Sequence, residues 1–157
     1  MLYVLDTSSL RVLANYFPDR FPSVWEHIEE LVADGCLLSV REVYRELEAW
    51  GGAPEWLREW VEKNKEIFVP AGSEDAAHVT AIFAVPHFRN MVSERQRLKG
   101  TPVADPFVVA CARARGGCVV TEEENRPNSA KIPNVCEHFG VECTDIEGMM
   151  AQLGWQF

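Results

Sequence analysis

The sequence has little of what marks a membrane-embedded or exported protein. None of its apolar runs approaches the roughly 20 residues that a membrane-spanning helix needs. Its opening, MLYVLDTSSL, has neither the basic segment nor the small-residue cleavage pattern of a signal peptide. The five cysteines are odd in number and irregular in spacing, which is typical of free thiols in a reducing compartment. These absences predict a cytoplasmic protein.

Several common catalytic motifs are also missing. The sequence contains no G-x-x-x-x-G-K-[ST], no G-x-G-x-x-G, no H-E-x-x-H and no G-x-S-x-G. The four histidines have no obvious cysteine or serine partner. The sequence therefore does not favour P-loop, dinucleotide-binding, zinc-protease or serine-hydrolase chemistry.

An excess of positive charge is absent as well. The net charge is −9, whereas nucleic-acid-binding proteins usually have a basic face. Basic residues are nevertheless concentrated in one stretch, residues 89–99, which contains Arg89 and Arg95. Any contact with nucleic acid is therefore expected to be local and sensitive to salt, with Arg89 and Arg95 as candidate substrate-binding residues.

Short apolar runs alternate with helical patterns along the whole chain. Its 157 residues, 47% of them hydrophobic, fit one domain spanning residues 1–157. The predicted strands are Tyr3–Leu5, Cys36–Leu38, Ile67–Val69, Cys118–Thr121 and Val141–Thr144. Because the connections are long enough for crossovers, the pattern predicts an α/β fold with a parallel sheet covered by helices on both faces.

Polar residues predict where two of the helices begin, and a polar segment predicts a third helix. The run Thr7 to Ser9 offers caps for the first helix. Ser39 with Glu42 fits the S-x-x-E capping box. Residues 86–98 fit one further, more polar helix.

Four acidic residues follow short apolar runs or lie near the start of a predicted helix. They are Asp6, Glu46, Asp105 and Glu123. The carboxyl ends of parallel strands are where ligands bind, so we expect these carboxylates to gather at one edge of the sheet. Gathered carboxylates repel each other unless a hard cation such as Mg²⁺ or Mn²⁺ neutralises them. The pattern therefore predicts a metal site acting on a phosphate.

Each carboxylate also has a simpler explanation. Asp6 and Asp105 are common residue types at helix starts, where they act as caps. Glu42 shares a helix face with Glu46, and the capping box accounts for Glu42 but not for Glu46, whose alternative is a plain solvated helix face. The acidic run of residues 122–124 is typical of a solvated loop.

Five segments together resemble a PIN domain. The pieces VLDTSSL, SVREVYREL, TPVADPFVVACA, VVTEE and KIPNVC occur in the family's order across most of the chain. The chain is similar in particular to the compact VapC-like toxins and to related bacterial PIN-like proteins. The resemblance implies a three-layer α/β/α fold with a central parallel sheet. It also implies a Mg²⁺- or Mn²⁺-dependent ribonuclease.

Four positions of this chain match the acidic residues of the family. Asp6 matches the first aspartate, Glu46 the helix glutamate, and Asp105 the aspartate that opens a later helix. The fourth acid of the family lies in a T-x-D pattern, which here reads Thr121-Glu122-Glu123. The longer Glu123 therefore replaces an aspartate, and Asn125 is a neutral oxygen donor within reach.

The resemblance implies an endoribonuclease with an RNA substrate and an antitoxin partner, that is, the toxin of a type II toxin–antitoxin pair. Thr7 and Ser8 are candidates to hydrogen-bond a phosphate oxygen or a metal-bound water. A phosphatase is disfavoured because Asp6-Thr7-Ser8 lacks the second aspartate of D-x-D-x-T. A catalytically inactive PIN-like binding module remains the alternative.

Five tryptophans are many for a chain of this size. Because the side chain is so large, burying all five would be unusual, and exposed aromatic surface marks partner sites. Trp56 and Trp60 lie four apart and share a predicted helix face. Together with the dimerisation common in PIN toxins, this predicts a homodimer, with the segment 50–61 at a subunit or antitoxin interface.

Overall fold

The computed structural model describes residues 1–100 and 103–157, without the side chains of residues 94 and 95. Its centre is a sheet of five parallel strands in the order β3-β2-β1-β4-β5. The strands are β1 (Tyr3–Leu5), β2 (Leu37–Val40), β3 (Phe68–Val69), β4 (Cys118–Val120) and β5 (Glu142–Thr144).

Helices connect the strands and cover the sheet, which confirms the predicted α/β/α class. They are α1 (Thr7–Leu13), α2 (Pro22–Ala33), α3 (Arg41–Ala49), α4 (Glu55–Lys63), α5 (Ser73–Ala84), α6 (Glu94–Lys99), α7 (Asp105–Arg115), α8 (Ile132–Phe139) and α9 (Ile146–Gln152). Short 3₁₀ turns span Lys65–Ile67 and Pro86–Met91. In the part of the chain that the structure describes, no helix combines the length and apolar character required to cross a bilayer.

The central strands are short and buried on both faces. Val4 lies opposite Leu38 of β2 on one side and Val119 of β4 on the other. Their continuous apolar sequences, without alternation, are typical of parallel strands that helices cover on both sides. The core is therefore built around β1 and its two neighbours.

The strand order places β1 beside β4, although over 110 residues separate them along the chain. The chain builds outward from β1 to β3 and then continues on the other side through β4 and β5. The backbone N–H of Asp6 donates to the carbonyl of Val120 at 3.1 Å, so the two strands remain paired to their ends. In doubly wound sheets the crevice at such a reversal is the usual ligand site.

The structure corrects two predicted helix starts. Asp6 itself caps α1, since its carboxylate accepts the Ser9 N–H at 2.8 Å. The predicted capping box of Ser39 and Glu42 is wrong. β2 runs directly into α3 without a loop, and the Ser39 hydroxyl donates instead to the carbonyl of Leu5 at 2.7 Å. Glu42 is buried, and its Oε2 has no hydrogen-bond partner among the described residues.

The polar segment after Pro86 is not the single helix that the sequence predicts. It forms a 3₁₀ turn to Met91 and then the separate helix α6. Ser93 starts the second helix through a capping box with Gln96, which gives the chain a new helix start in mid-segment.

Three of the five tryptophans, Trp50, Trp56 and Trp155, keep part of their surface exposed, which confirms that the five are not all fully buried. Trp25 and Trp60 are buried, and Trp56 is partly buried. Trp56 and Trp60 do share a face of α4, and both rings lie edge-to-face against Trp25, with centroids 5.1 and 5.4 Å apart. This aromatic cluster joins α4 to α2 and is part of the core.

Helix α7 is fixed in place from both sides. It contacts β1, β2 and β4 on one side and α5 on the other. Near its end, Arg115 donates to the buried Asp75 of α5 at 2.7 Å. Burial raises the pKa of Asp75, but the bonds from Arg115 and from the Gly72 N–H outweigh this effect and leave that pKa below its usual value. The contact sets the position of α7, whose first residue is Asp105.

We expect Arg115→Ala to lower the free energy of unfolding by about 1.5 kcal/mol at pH 7, because it leaves the buried Asp75 charge without its cation. A double-mutant cycle with Asp75→Asn should give a coupling of about 1 kcal/mol in urea denaturation. Since the Asp75 pKa is lowered, this coupling should shrink as the pH falls below about 4. Additive effects of the two substitutions would contradict the pairing.

Candidate functional site

A cavity of about 410 Å³ lies where β1 and β4 end. All four acidic residues that the sequence singles out line this one cavity, although they come from four separate segments. Its lining residues are Asp6, Thr7, Ser8, Arg11, Arg45, Glu46, Ala49, Trp50, Asp105 and Glu123.

Asp6 is the most deeply placed of the four acids, with 3% of its surface exposed. Its carboxylate accepts hydrogen bonds from the Ser9 N–H at 2.8 Å and from the Thr121 hydroxyl at 2.6 Å. The Ser8 hydroxyl lies 2.9 Å from both carboxylate oxygens. Buried charge is tolerated where donors surround it, so Asp6 is a helix cap and a cavity residue at once.

Glu46 joins three elements at the cavity wall. One carboxylate oxygen accepts from the Thr7 hydroxyl of α1, and the other accepts from the Ala104 N–H, just before α7, at 3.3 Å. Glu42, one turn earlier on α3, lies elsewhere, in a small space lined by Asp75 and Cys111. The helix face predicted for Glu46 is therefore the one that the structure turns toward the cavity.

Asp105 opens α7 and has no hydrogen-bond partner among the described residues. Its pKa is raised from 3.8 to about 7, first by burial and then by the negative charges of Glu123, Glu46 and Asp6. Lys131 opposes this rise only in part. The raised pKa of Asp105 thus reflects both its burial and the crowding of negative charge in the cavity.

The acidic run after β4 divides its three side chains between different environments. Glu123 lines the cavity, and its Oε2 accepts the Ile132 N–H at 2.8 Å. Glu122 turns away and accepts the Ile146 N–H at 2.9 Å, while Glu124 pairs with the exposed Arg126. Only Glu123 of this run belongs to the cavity, as the T-x-D comparison predicts.

Thr7 and Ser8 line the cavity as expected, but their hydroxyl groups hold the carboxylates in position. Thr7 donates to Glu46, and Ser8 bridges Asp6 and the N–H of Glu122, which lies 2.9 Å from Ser8 Oγ. Sequence reasoning did not assign a role to Thr121, although its place directly after a buried strand and beside the acidic run was a usable signal.

Of the two predicted basic residues, Arg89 does not lie at this cavity. Arg89 is exposed and donates to the carbonyl of Phe83 at 2.9 Å, next to a separate cavity. The side chain of Arg95 lies outside the described residues. Arg11, Arg45 and Trp50 line the cavity instead. Arg45 directly precedes Glu46 in the sequence, and this position could have predicted that Arg45 lies at the cavity.

The donor set fits a hard divalent cation by its chemistry. All four candidate ligands are carboxylates, which Mg²⁺ and Mn²⁺ prefer, and the carboxyl of Asp105 has no hydrogen-bond partner in the described part of the chain. Within residues 1–100 and 103–157, no three His, Cys, Asp or Glu side chains already stand in an arrangement that could hold one metal ion. The carboxylates would therefore have to turn further toward each other on binding.

Residues 3–157 match the model of a family described as a domain of unknown function (DUF4411), so the chain belongs to that family. It is also similar to a crystal structure of DNA-bound VapBC from Salmonella typhimurium, with 24% identity and a TM-score of 0.55. A VapBC2 structure from Rickettsia felis, bound to a DNA fragment of its promoter, matches with 14% identity and a TM-score of 0.53. Each match covers 92% of this chain and 98% of the other. No curated protein matches the chain.

These two structural matches establish a shared fold. Both extend over nearly the whole of each chain, so the likeness includes the sheet and the helices around the cavity. At these identities the likeness says nothing about which residues act or what they act on.

We expect Asp105→Asn to stabilise the metal-free protein by about 2 kcal/mol at pH 8. The pKa of the Asp105 carboxyl is about 7 in the folded chain, whereas its ordinary value, expected in the unfolded chain, is 3.8. Wild-type stability should therefore fall as the pH rises from about 4 to about 7 and then level off. The gain in the free energy of unfolding should be smaller than the full shift of the Asp105 pKa would give. The reason is that the N-terminus of α7 favours a negative charge.

Thermal unfolding in a chelator between pH 4 and pH 8 measures this difference. The exposed Asp19→Asn is the matched control, and we expect it to track the wild type. If Asp105→Asn were no more stable than the wild type at pH 8, the carboxylates would not be crowded as described.

Proposed function

We propose that this chain is a metal-dependent endoribonuclease of the PIN type and the toxin of a type II toxin–antitoxin pair. The observation that supports it most is the meeting of Asp6, Glu46, Asp105 and Glu123 in one cavity at the reversal of the sheet. Four carboxylates in one low-dielectric space destabilise the fold unless they serve a cation. The shared fold with VapBC chains is consistent with this proposal.

Asp6, Glu46, Asp105 and Glu123 would hold Mg²⁺ or Mn²⁺. Bound there, such a cation supplies the positive charge that polarises a phosphate and lowers the pKa of a water molecule. The protein's own part is to fix the carboxylates. Thr121 and Ser8 orient Asp6, while Thr7 and the Ala104 N–H orient Glu46. These hydrogen bonds limit the rotamers open to the carboxylates, so that only a small further turn would bring them to a cation.

The proposed partners come from the family resemblance. Both matched structures are VapBC assemblies, so we propose that this chain also has an antitoxin partner. We propose a homodimer because PIN toxins commonly dimerise, with the partly exposed Trp56 of the segment 50–61 as a candidate contact.

A catalytically inactive PIN-like binding module is the second candidate. Glu123 replaces the aspartate of the family pattern, and its Oε2 is engaged by the Ile132 N–H. A carboxylate held in this way is less able to turn toward a cation. Such a module would keep the fold and bind partners without cleaving RNA.

We expect the purified chain to cleave single-stranded RNA in Mn²⁺ but not in EDTA. Asp6→Asn and Asp105→Asn should each reduce the rate about a hundred-fold or more, because each removes a charged oxygen from the site. Asparagine caps a helix as well as aspartate does, so circular dichroism should show an intact fold for Asp6→Asn.

Asp19→Asn again serves as the control and should cleave like the wild type. Full activity in Asp6→Asn or Asp105→Asn would contradict the assigned site. A wild-type chain that binds RNA without cleaving it in Mn²⁺ would favour the binding module.

Glu46→Gln should weaken Mn²⁺ binding at least about ten-fold in calorimetric titration, because the amide cannot supply the charge. Glu42→Gln is the matched control on the same helix, one turn away and outside the cavity. It should leave Mn²⁺ binding unchanged. The reverse ranking of the two variants would mean that the wrong face of α3 holds the metal.

A further inference from the structure

We propose that the mouth of the acidic cavity binds single-stranded RNA through Arg11, Arg45 and Trp50, named here the rim. In this proposal the Trp50 indole stacks on a nucleobase, and the two guanidinium groups neutralise neighbouring phosphates. The inference rests on the proposed function and names how the substrate is held. The three side chains line the same cavity as the four carboxylates.

Arg45 is available for a ligand. It is exposed, lies directly before Glu46 on α3, and has no ion-pair or hydrogen-bond partner in the part of the chain that the structure describes. Its exposed guanidinium can therefore meet an anion that approaches the cavity from solvent. A phosphate backbone that passes the cavity mouth is such an anion, and arginine binds phosphate with two parallel hydrogen bonds.

Arg11 and Trp50 form a cation–π pair at the mouth of the same cavity. The guanidinium carbon of Arg11 lies 5.0 Å from the centre of the Trp50 ring system. Aromatic rings and guanidinium planes are the two surfaces on which proteins stack unpaired bases. Arg11 has no carboxylate partner among the described residues, so the pair retains its positive charge at the cavity.

The backbone around Trp50 is held firmly enough to present the indole. Trp50 follows the last residue of α3 in an extended conformation. Its carbonyl accepts from the Ala53 N–H at 3.2 Å and from the Arg58 guanidinium at 3.1 Å. The ring also lies close over Gly52, where an added Cβ would sit 2.8 Å from the indole Nε1. Glycine at position 52 thus leaves room for the indole.

The position of the basic side chains at the rim is important because the molecule as a whole is acidic. With a net charge of −9, the chain as a whole repels nucleic acid. Positive charge at the cavity mouth offsets that repulsion only where the scissile phosphate must lie. Double-stranded RNA hides its bases from stacking, so the rim favours single strands.

The competing surface is the one around Arg89. Its guanidinium already donates to the Phe83 carbonyl, and among the described side chains the cavity there is lined by Phe83, Arg89, Val92 and Arg97. An RNA bound at that surface would not need to approach the carboxylates.

Fluorescence anisotropy of a labelled ten-nucleotide RNA, measured in EDTA so that no cleavage occurs, tests the rim directly. We expect Trp50→Ala to weaken binding about ten-fold, and Trp50→Phe to restore most of it. Arg45→Ala should lower the slope of log affinity against log salt by about one, as for one lost phosphate contact. Gly52→Ala should weaken binding by moving the indole.

Arg41→Ala is the matched control, since Arg41 is exposed on the same helix but does not line the cavity. Two further probes of equal length are a labelled single-stranded DNA and a duplex RNA. The duplex RNA should bind at least about ten-fold more weakly than the single-stranded RNA. Melting temperatures of all variants identify any loss that comes from unfolding.

Three results would overturn the inference: no RNA binding by the wild type, unchanged binding in both Trp50→Ala and Arg45→Ala, or a loss in Arg89→Ala alone. If the wild type cleaves RNA in Mn²⁺ while the rim variants bind and cleave as it does, only this inference fails. If the rim variants lose binding but the wild type never cleaves, the proposed catalytic function fails and the rim stands.

Discussion

Repulsion among the carboxylates where β1 and β4 meet is the constraint on which the rest of the site depends. Asp6 is almost fully buried, and Asp105 carries a pKa near 7 because of burial and of its neighbours' charges. Charge gathered in this way opposes folding, so the surrounding chain has to supply compensating groups. The hydrogen bonds of Ser8, Ser9 and Thr121 to Asp6 are that compensation at the deepest point.

The compensation is uneven, and the unevenness suggests where a cation belongs. Asp6 is surrounded by protein donors, and Glu46 and Glu123 each accept from a backbone N–H. Asp105 has no donor among the described residues, and the charge of Lys131 reaches it only in part. The unbalanced negative charge therefore lies between Asp105 and the other three carboxylates, where a hard divalent ion would relieve it.

The sequence predicted the sheet, the fold class and the gathering of the four acids, because short apolar strands and strand-end carboxylates are local patterns. It did not predict which donors hold those acids. Thr121 bonds to Asp6, and Ser39 bonds to Leu5, because β1 lies between β4 and β2 in the folded chain. The contacts between tryptophans of different helices were missed for a similar reason. Trp25, Trp56 and Trp60 meet only after α2 and α4 pack together.

The most direct test of the central claim is the melting temperature of the wild-type chain as Mn²⁺ is raised from micromolar to millimolar concentration at pH 8. If the carboxylates form a cation site, stability should rise with the logarithm of the Mn²⁺ concentration above the dissociation constant, by about 2.7 kcal/mol at a hundred-fold excess. A melting temperature that stays constant across this range would contradict a cation site at the junction of β1 and β4.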